Sequence, residues 1–160
     1  MPTVSEILKK VSELLLEKQN SIATAESCTG GLLAHTLTNI AGSSLYFERG
    51  VITYSNQAKM DLLGVAESTL DSVGAVSAEV AQAMAEGIRL KAGVDIGIAT
   101  TGIAGPGGGS KEKPVGLVYI CIATEDKTVV KQCHFQGNRL DIKQATCMNA
   151  LLMLFECVSK

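Results

Sequence analysis

Residues 24–31 read TAESCTGG, and the short apolar run Ile22-Ala23-Thr24-Ala25 before them stops abruptly in side chains that can do chemistry. A strand that only fills a core usually ends in turn residues. This one ends in a carboxylate (Glu26), a hydroxyl (Ser27), a thiol (Cys28) and a second hydroxyl (Thr29). In open α/β sheets ligands sit outside the carboxyl ends of strands, where the free N–H groups of a following helix can meet an anion. Gly30 and Gly31 would let the backbone approach such a ligand closely. The same residue types are also favoured N-caps, so a plain cap with Glu26 at the surface is the competing reading.

The chain has two histidines, His35 and His134, and neither lies in a Cys-protease signature. His35 falls inside an apolar helical pattern, where a histidine is more often packed than reactive. A Cys28 nucleophile paired with histidine is therefore an alternative with little support. A serine is a poor nucleophile until something takes its proton, and without a histidine the remaining base is a lysine whose pKa burial has lowered. The tract AGSSLYFERGVITYSNQAK, residues 41–59, offers Ser43, Ser44, Tyr54 and Lys59, with Arg49 as a further cation. Lys59 follows the polar YSNQ turn and is the lysine best set to approach both serine clusters, although a lone lysine on a short helix is ordinarily solvated.

A third tract, TTGIAGPGGGSKEKP, contains Thr101, Gly102, Ile103, Ala104 and Gly105. From residue 102 to 114 it holds five of the sixteen glycines and two of the three prolines. Such a run is neither helix nor central strand. Its backbone N–H groups can cradle a phosphate or hold an oxyanion. It matches neither the P-loop nor the GxGxxG fingerprint, so alone it is a weak signal.

The elements that must carry these tracts follow from periodicity. Val4, Ile7, Leu8, Val11, Leu14 and Leu15 predict a first helix with Thr3 or Ser5 as its cap. After the strand at Ile22, LLAHTLTNIAG reads as a helix closed by Gly42. LYFERGVITYSN suggests one or two strands, and Gln57 to Leu63 a short helix. Ser77 caps a helix running through Lys91, and residues 95–100 form a buried strand. Val115 to Thr124 and Val129 to Phe135 read as a hairpin, followed by a helix from Leu140 to Val158. Strands that alternate with helices and then close with a hairpin predict an α/β fold, a three-layer α/β/α sandwich with a mixed sheet. One domain over residues 1–160 is expected, because no second core follows the glycine tract.

Composition narrows the function class. With 160 residues and 46% hydrophobic content the chain can bury a core without staples, and its mean hydropathy of +0.25 excludes a disordered chain. A net charge of −2 gives no basic field, so nucleic-acid binding is not expected, while a small anionic substrate needs only a few donors. Five cysteines without CxxC spacing argue against a disulfide framework or zinc site. The apolar runs are too short to span a bilayer, and no signal peptide precedes the first helix, which predicts a cytoplasmic protein without a membrane partner. Apolar strand edges at VITY and VYICIAT predict a homo-oligomer, a dimer first.

Taken together and in order, TAESCTGG, AGSSLYFERGVITYSNQAKMDLLGV, GAVS and TTGIAGPGGGSKEKPVGLVY resemble the CinA C-terminal domain family across nearly the whole chain. The resemblance implies an amidohydrolase that converts nicotinamide mononucleotide to nicotinate mononucleotide and ammonia, a salvage step toward NAD, with no metal and no cofactor. It implies a serine nucleophile, Ser27 first and Ser44 second, with Lys59 as base and Tyr54 assisting. Substrate contacts are then expected from Glu26, Thr29, Gly30, Gly31 and the Thr101–Gly105 run. Arg139 is the first candidate for the 5′-phosphate and Arg49 the second. The different-class alternative is a non-catalytic nucleotide-binding module linked to competence or DNA damage.

Overall fold

The structure, a computed structural model, describes every residue from Met1 to Lys160. Helix α1, Val4–Lys18, begins in a capping box in which the Thr3 hydroxyl accepts from the Glu6 N–H and the Glu6 carboxylate accepts from the Thr3 N–H. Its apolar stripe, Ile7, Leu8, Val11 and Leu15, is buried. Strand β1, Ile22–Glu26, is buried along its whole length and lies in the middle of the sheet. Helix α2, Leu32–Leu37, leads to a single 3-10 turn at Ser43–Leu45 and then to β2, Phe47–Ile52. Three helices follow: α3, Asn56–Leu63; α4, Glu67–Val73; and α5, Ala78–Ala92. The chain ends in β3, Ile96–Gly102; β4, Leu117–Ala123; β5, Thr128–His134; and the long α6, Arg139–Ser159.

The five strands lie in the order β2-β1-β3-β4-β5. β1 pairs in parallel with both β2 and β3, whereas β3, β4 and β5 run antiparallel. Side chains that alternate across β1 divide the core in two. Ile22 packs with α1, α2 and α6 on one face, while Ala23 and Ala25 pack with α3, α4 and α5 on the other. The result is a three-layer α/β/α sandwich with a mixed sheet. At Gly87 of α5 a Cβ would fall 2.2 Å from the Leu63 carbonyl oxygen, so glycine lets the end of α3 lie directly against α5.

Three local expectations are corrected. The helix after β1 stops at Leu37 rather than running to Gly42, and the Thr36 and Thr38 hydroxyls bond back to the Leu32 and Ala34 carbonyls, a habit that weakens helices. Helix α4 has only one buried apolar residue, Leu70, which is too sparse a pattern to read from sequence. VYICIAT is an interior strand rather than an edge, because β5 covers it; the open edges are β2, where Ile52 is exposed, and β5, where Val129 is exposed. No helix is long and apolar enough to cross a membrane.

Candidate active site

The connection after β1 leaves toward the α2 face and the one after β2 toward the α3 face, so a crevice opens between the carboxyl ends of adjacent parallel strands. The ladder continues past both strand ends: the Thr53 N–H donates to the Glu26 carbonyl at 2.8 Å and the Ser27 N–H to the Thr100 carbonyl at 3.0 Å. Ser27 is thereby fixed at the rim. Lys59, on the first turns of α3, reaches it from the neighbouring strand's connection, and its Nζ lies 3.1 Å from the Ser27 Oγ.

Lys59 is 1% exposed and has no carboxylate partner. Its Nζ donates to the Thr53 carbonyl at 2.8 Å and to the Tyr54 carbonyl at 3.4 Å. As an ammonium Lys59 donates its third N–H to the Ser27 Oγ; as a neutral amine, with both N–H groups on the two carbonyls, it turns its lone pair to the Ser27 hydroxyl instead. Burial lowers the Lys59 pKa from the usual lysine value, with nearby Cys28 as the smaller, opposing influence. The pair has the geometry of a general base and its nucleophile.

The turn that holds Ser27 is organised by Glu26. Its carboxylate is buried and accepts from the Thr29 hydroxyl at 2.6 Å, the Leu33 N–H at 2.8 Å and the Ala34 N–H at 3.0 Å. Because the single Thr29 proton goes to Glu26, the Thr100 hydroxyl donates to Thr29, 2.8 Å away. Glu26 and Thr29 thus face inward and are fully engaged, and neither lines the cleft. Gly31 caps α2 in the left-handed region at φ 102°, and Gly30 also has positive φ; both shape the turn rather than line the cleft.

The cleft itself measures about 260 Å³ and its lining includes Ser27, Tyr54 and Lys59 on one side and the Thr101–Gly105 run on the other, with Arg139 across the mouth. Arg139, the first residue of α6, donates to the Gly105 carbonyl and to the Tyr54 hydroxyl, both at 2.7 Å. The Thr101 hydroxyl donates to the Ala75 carbonyl at 2.8 Å, tying β3 to the segment before α5. The Ile103 N–H is spent on the Leu117 carbonyl, whereas the amides of Ala104 and Gly105 donate to nothing within the chain. No Asp or Glu lines the cleft, so Arg139 sets its sign. Asn56, Ala75 and Val76 also line it; they lie within the YSNQ and GAVS tracts, but nothing in the sequence assigns them a role of their own.

Two sequence candidates lie elsewhere. Ser44 sits in the 3-10 turn before β2, where the next residue but one, Tyr46, accepts from the Ile22 N–H at the start of β1. Parallel strands put that turn at the opposite end of the sheet from Ser27, about 16 Å away for five residues. Arg49 is paired with Glu48 on the exposed edge strand, in register with Ala23, and does not reach the cleft. Cys28 lines the cleft, but burial pushes its thiol up to about 12, with Glu26 adding to the rise. His35 and His134 are both exposed, and neither bonds to it. The thiol reading therefore loses both its thiolate and its base.

A family model described as the CinA C-terminal domain matches residues 4–158. The chain is 52% identical over 149 residues to a protein of Caldanaerobacter subterraneus described as competence-damage inducible, covering 93% of this chain and 36% of that one. It is also 52% identical to a CinA-like protein of Syntrophus aciditrophicus, over 90% of this chain and 34% of the relative. The chain thus spans about a third of the length of these curated relatives. Among solved structures, the competence/damage inducible protein CihA from Agrobacterium tumefaciens superposes with a TM-score of 0.95 at 40% identity, covering 100% of this chain and 98% of that one. A CinA superfamily protein from Escherichia coli gives a TM-score of 0.93 at 33% identity, covering 97% of this chain and 90% of that one.

Proposed function

Because the chain belongs to the CinA C-terminal domain family, we propose that its cleft hydrolyses a carboxamide, and that the substrate is nicotinamide mononucleotide, with nicotinate mononucleotide and ammonia as products. The observation that carries this reading is Lys59: a buried amine without a counter-ion, 3.1 Å from a serine hydroxyl. A module that only bound a nucleotide would have no use for it, since burying an uncompensated lysine costs stability.

In the proposed reaction neutral Lys59 takes the Ser27 proton as Oγ attacks the carboxamide carbon. The oxyanion is met by free loop amides such as those of Ala104 and Gly105. The Lys59 ammonium then returns the proton to the departing nitrogen, ammonia leaves, and an ester remains on Ser27. Water attacks that ester while giving a proton to Lys59, which passes it to Ser27 Oγ as the acid departs. Tyr54 and Arg139 form one bonded pair at the mouth, and a guanidinium there suits a phosphate. The absence of lining carboxylates favours the same anionic end. Cytoplasmic location and a homo-oligomer, a dimer first, belong to this proposal, with the β2 and β5 edges available for pairing.

The test is incubation of purified, metal-stripped protein with nicotinamide mononucleotide, following ammonia and nicotinate mononucleotide. Equal release of both, lost in Ser27→Ala and in Lys59→Ala but kept in Ser44→Ala, is expected. A folded wild type that binds the mononucleotide and releases nothing would refute the enzyme reading and leave a binding module.

A further inference from the structure

Apart from the Cys28 thiol, every polar side chain that lines the cleft but one is engaged inside the protein. Ser27 is held by Lys59, Lys59 by two carbonyls, Thr101 by the Ala75 carbonyl, and Tyr54 and Arg139 by each other. Asn56 lines the same cleft, is exposed at its rim, and its side-chain amide has no partner within the chain. It opens α3 with Ser55 as the N-cap, and Ser55, not Asn56, satisfies the Ala58 N–H. Asn56 is therefore not consumed as a cap. It lies three positions before Lys59, which sets the two residues on neighbouring positions of one helix face.

We propose that Asn56 reads the carboxamide end of the substrate and is a specificity residue of this cleft. The inference rests on the amide-hydrolysis reading for its substrate but not for its position. A primary amide side chain presents one acceptor and two donors, the same complement that a substrate carboxamide presents, so each can satisfy the other. Its Oδ1 accepts an N–H of the substrate and holds the leaving nitrogen beside Lys59, the group that delivers its proton. Arg139, on α6, bonds Gly105 and the Tyr54 hydroxyl at the cleft mouth, and the proposal puts the anionic end on it. The cleft is then sorted by chemistry, with an amide on α3 for the reacting group and a guanidinium on α6 for the phosphate.

The experiment compares binding of nicotinamide mononucleotide and nicotinate mononucleotide by calorimetry, in Ser27→Ala and in Ser27→Ala/Asn56→Asp, so that no turnover intervenes. A carboxylate introduced at position 56 repels the acid but still accepts from the amide. The ratio of the acid's Kd to the amide's should rise by at least about tenfold. In otherwise wild-type protein Asn56→Ala should lower kcat/KM for the amide by about tenfold, the effect of one lost hydrogen bond. A ratio unchanged by Asn56→Asp, with both ligands weakened alike or not at all, overturns the proposal, because a general packing defect or a contact with the phosphate would affect the two equally. If wild type binds the mononucleotide without hydrolysing it, the enzyme reading fails while the Kd ratio still decides the position of Asn56. If neither ligand binds, both fail.

Discussion

Glu26→Gln is the sharpest probe of how this site is held together. The substitution keeps the shape of the side chain but replaces two acceptor oxygens by one oxygen and one NH2 group. Three donors now converge on the carboxylate: the Thr29 hydroxyl and Leu33 N–H on one oxygen and the Ala34 N–H on the other. A glutamine can serve the first pair only by pointing its NH2 at the Ala34 N–H, donor against donor. One orphaned buried donor costs about 1–3 kcal/mol, and the two surviving bonds lose their charge assistance. A total near 3 kcal/mol follows, and at about 2–4 °C per kcal/mol for a chain of this size Tm should fall by about 6–12 °C. Thermal unfolding followed by circular dichroism reads this directly, with urea unfolding as a check that the slope, and so the exposed surface, is unchanged. Because Ser27 follows Glu26 in the chain, hydrolysis of the mononucleotide should also drop by about tenfold to a hundredfold through misplacement of the nucleophile. A variant that melts within about 2 °C of wild type would show that this carboxylate does not organise the turn.

Lys59 gives a prediction of opposite sign. Its native pKa is lowered below the unfolded value of 10.5, so between the two the unfolded chain holds more protons and stability rises with pH. Lys59→Met should abolish turnover yet gain about 1 kcal/mol relative to wild type at pH 7, and urea titrations should show that advantage shrinking as pH approaches 10.5. An advantage that does not change with pH would mean that Lys59 is not held as a depressed amine. Cys28, with its thiol pushed up to about 12, should resist iodoacetamide at pH 8 while Cys157, the one half-buried cysteine, reacts first; loss of activity in step with Cys28 alkylation on peptide mapping would contradict this.

What the sequence conveyed depended on how local the signal was. The α1 stripe with its Thr3 cap and the Ser77 cap of α5 are written within a few adjacent residues, and their elements fall within a residue or two of expectation. Ser27 and Lys59 are 32 positions apart, and their meeting was legible only because a strand-to-helix turn and a polar turn both had to lie at strand ends. Which end was not legible for Ser44. A serine before a strand and a serine after one look alike in one dimension, and only the parallel pairing of β1 with β2 sends them to opposite rims. Asn56 stands in the sequence as one of several polar residues of the 41–59 tract without a role of its own, because its significance lies in a partner it lacks, which no linear pattern records. Glu26 was read as a ligand contact because a buried carboxylate capping a helix seven residues downstream looks, in sequence, like any acid beside a serine.

The glycine-rich segment after β3 is fastened at both rims. Near its start the Gly105 carbonyl accepts from Arg139, and near its end the Lys113 ammonium reaches back to the Val73 carbonyl at 2.5 Å. Between these anchors Ser110 and Lys113 close a small turn whose residues 109–112 are all exposed. Strain or added length introduced there is contained by the two fastenings, and lengthening an exposed loop is entropically inexpensive. That stretch is accordingly a grafting point: an environment-sensitive dye on Ser110→Cys, or a short inserted epitope, would sit beside the cleft without entering it and could report its filling in real time.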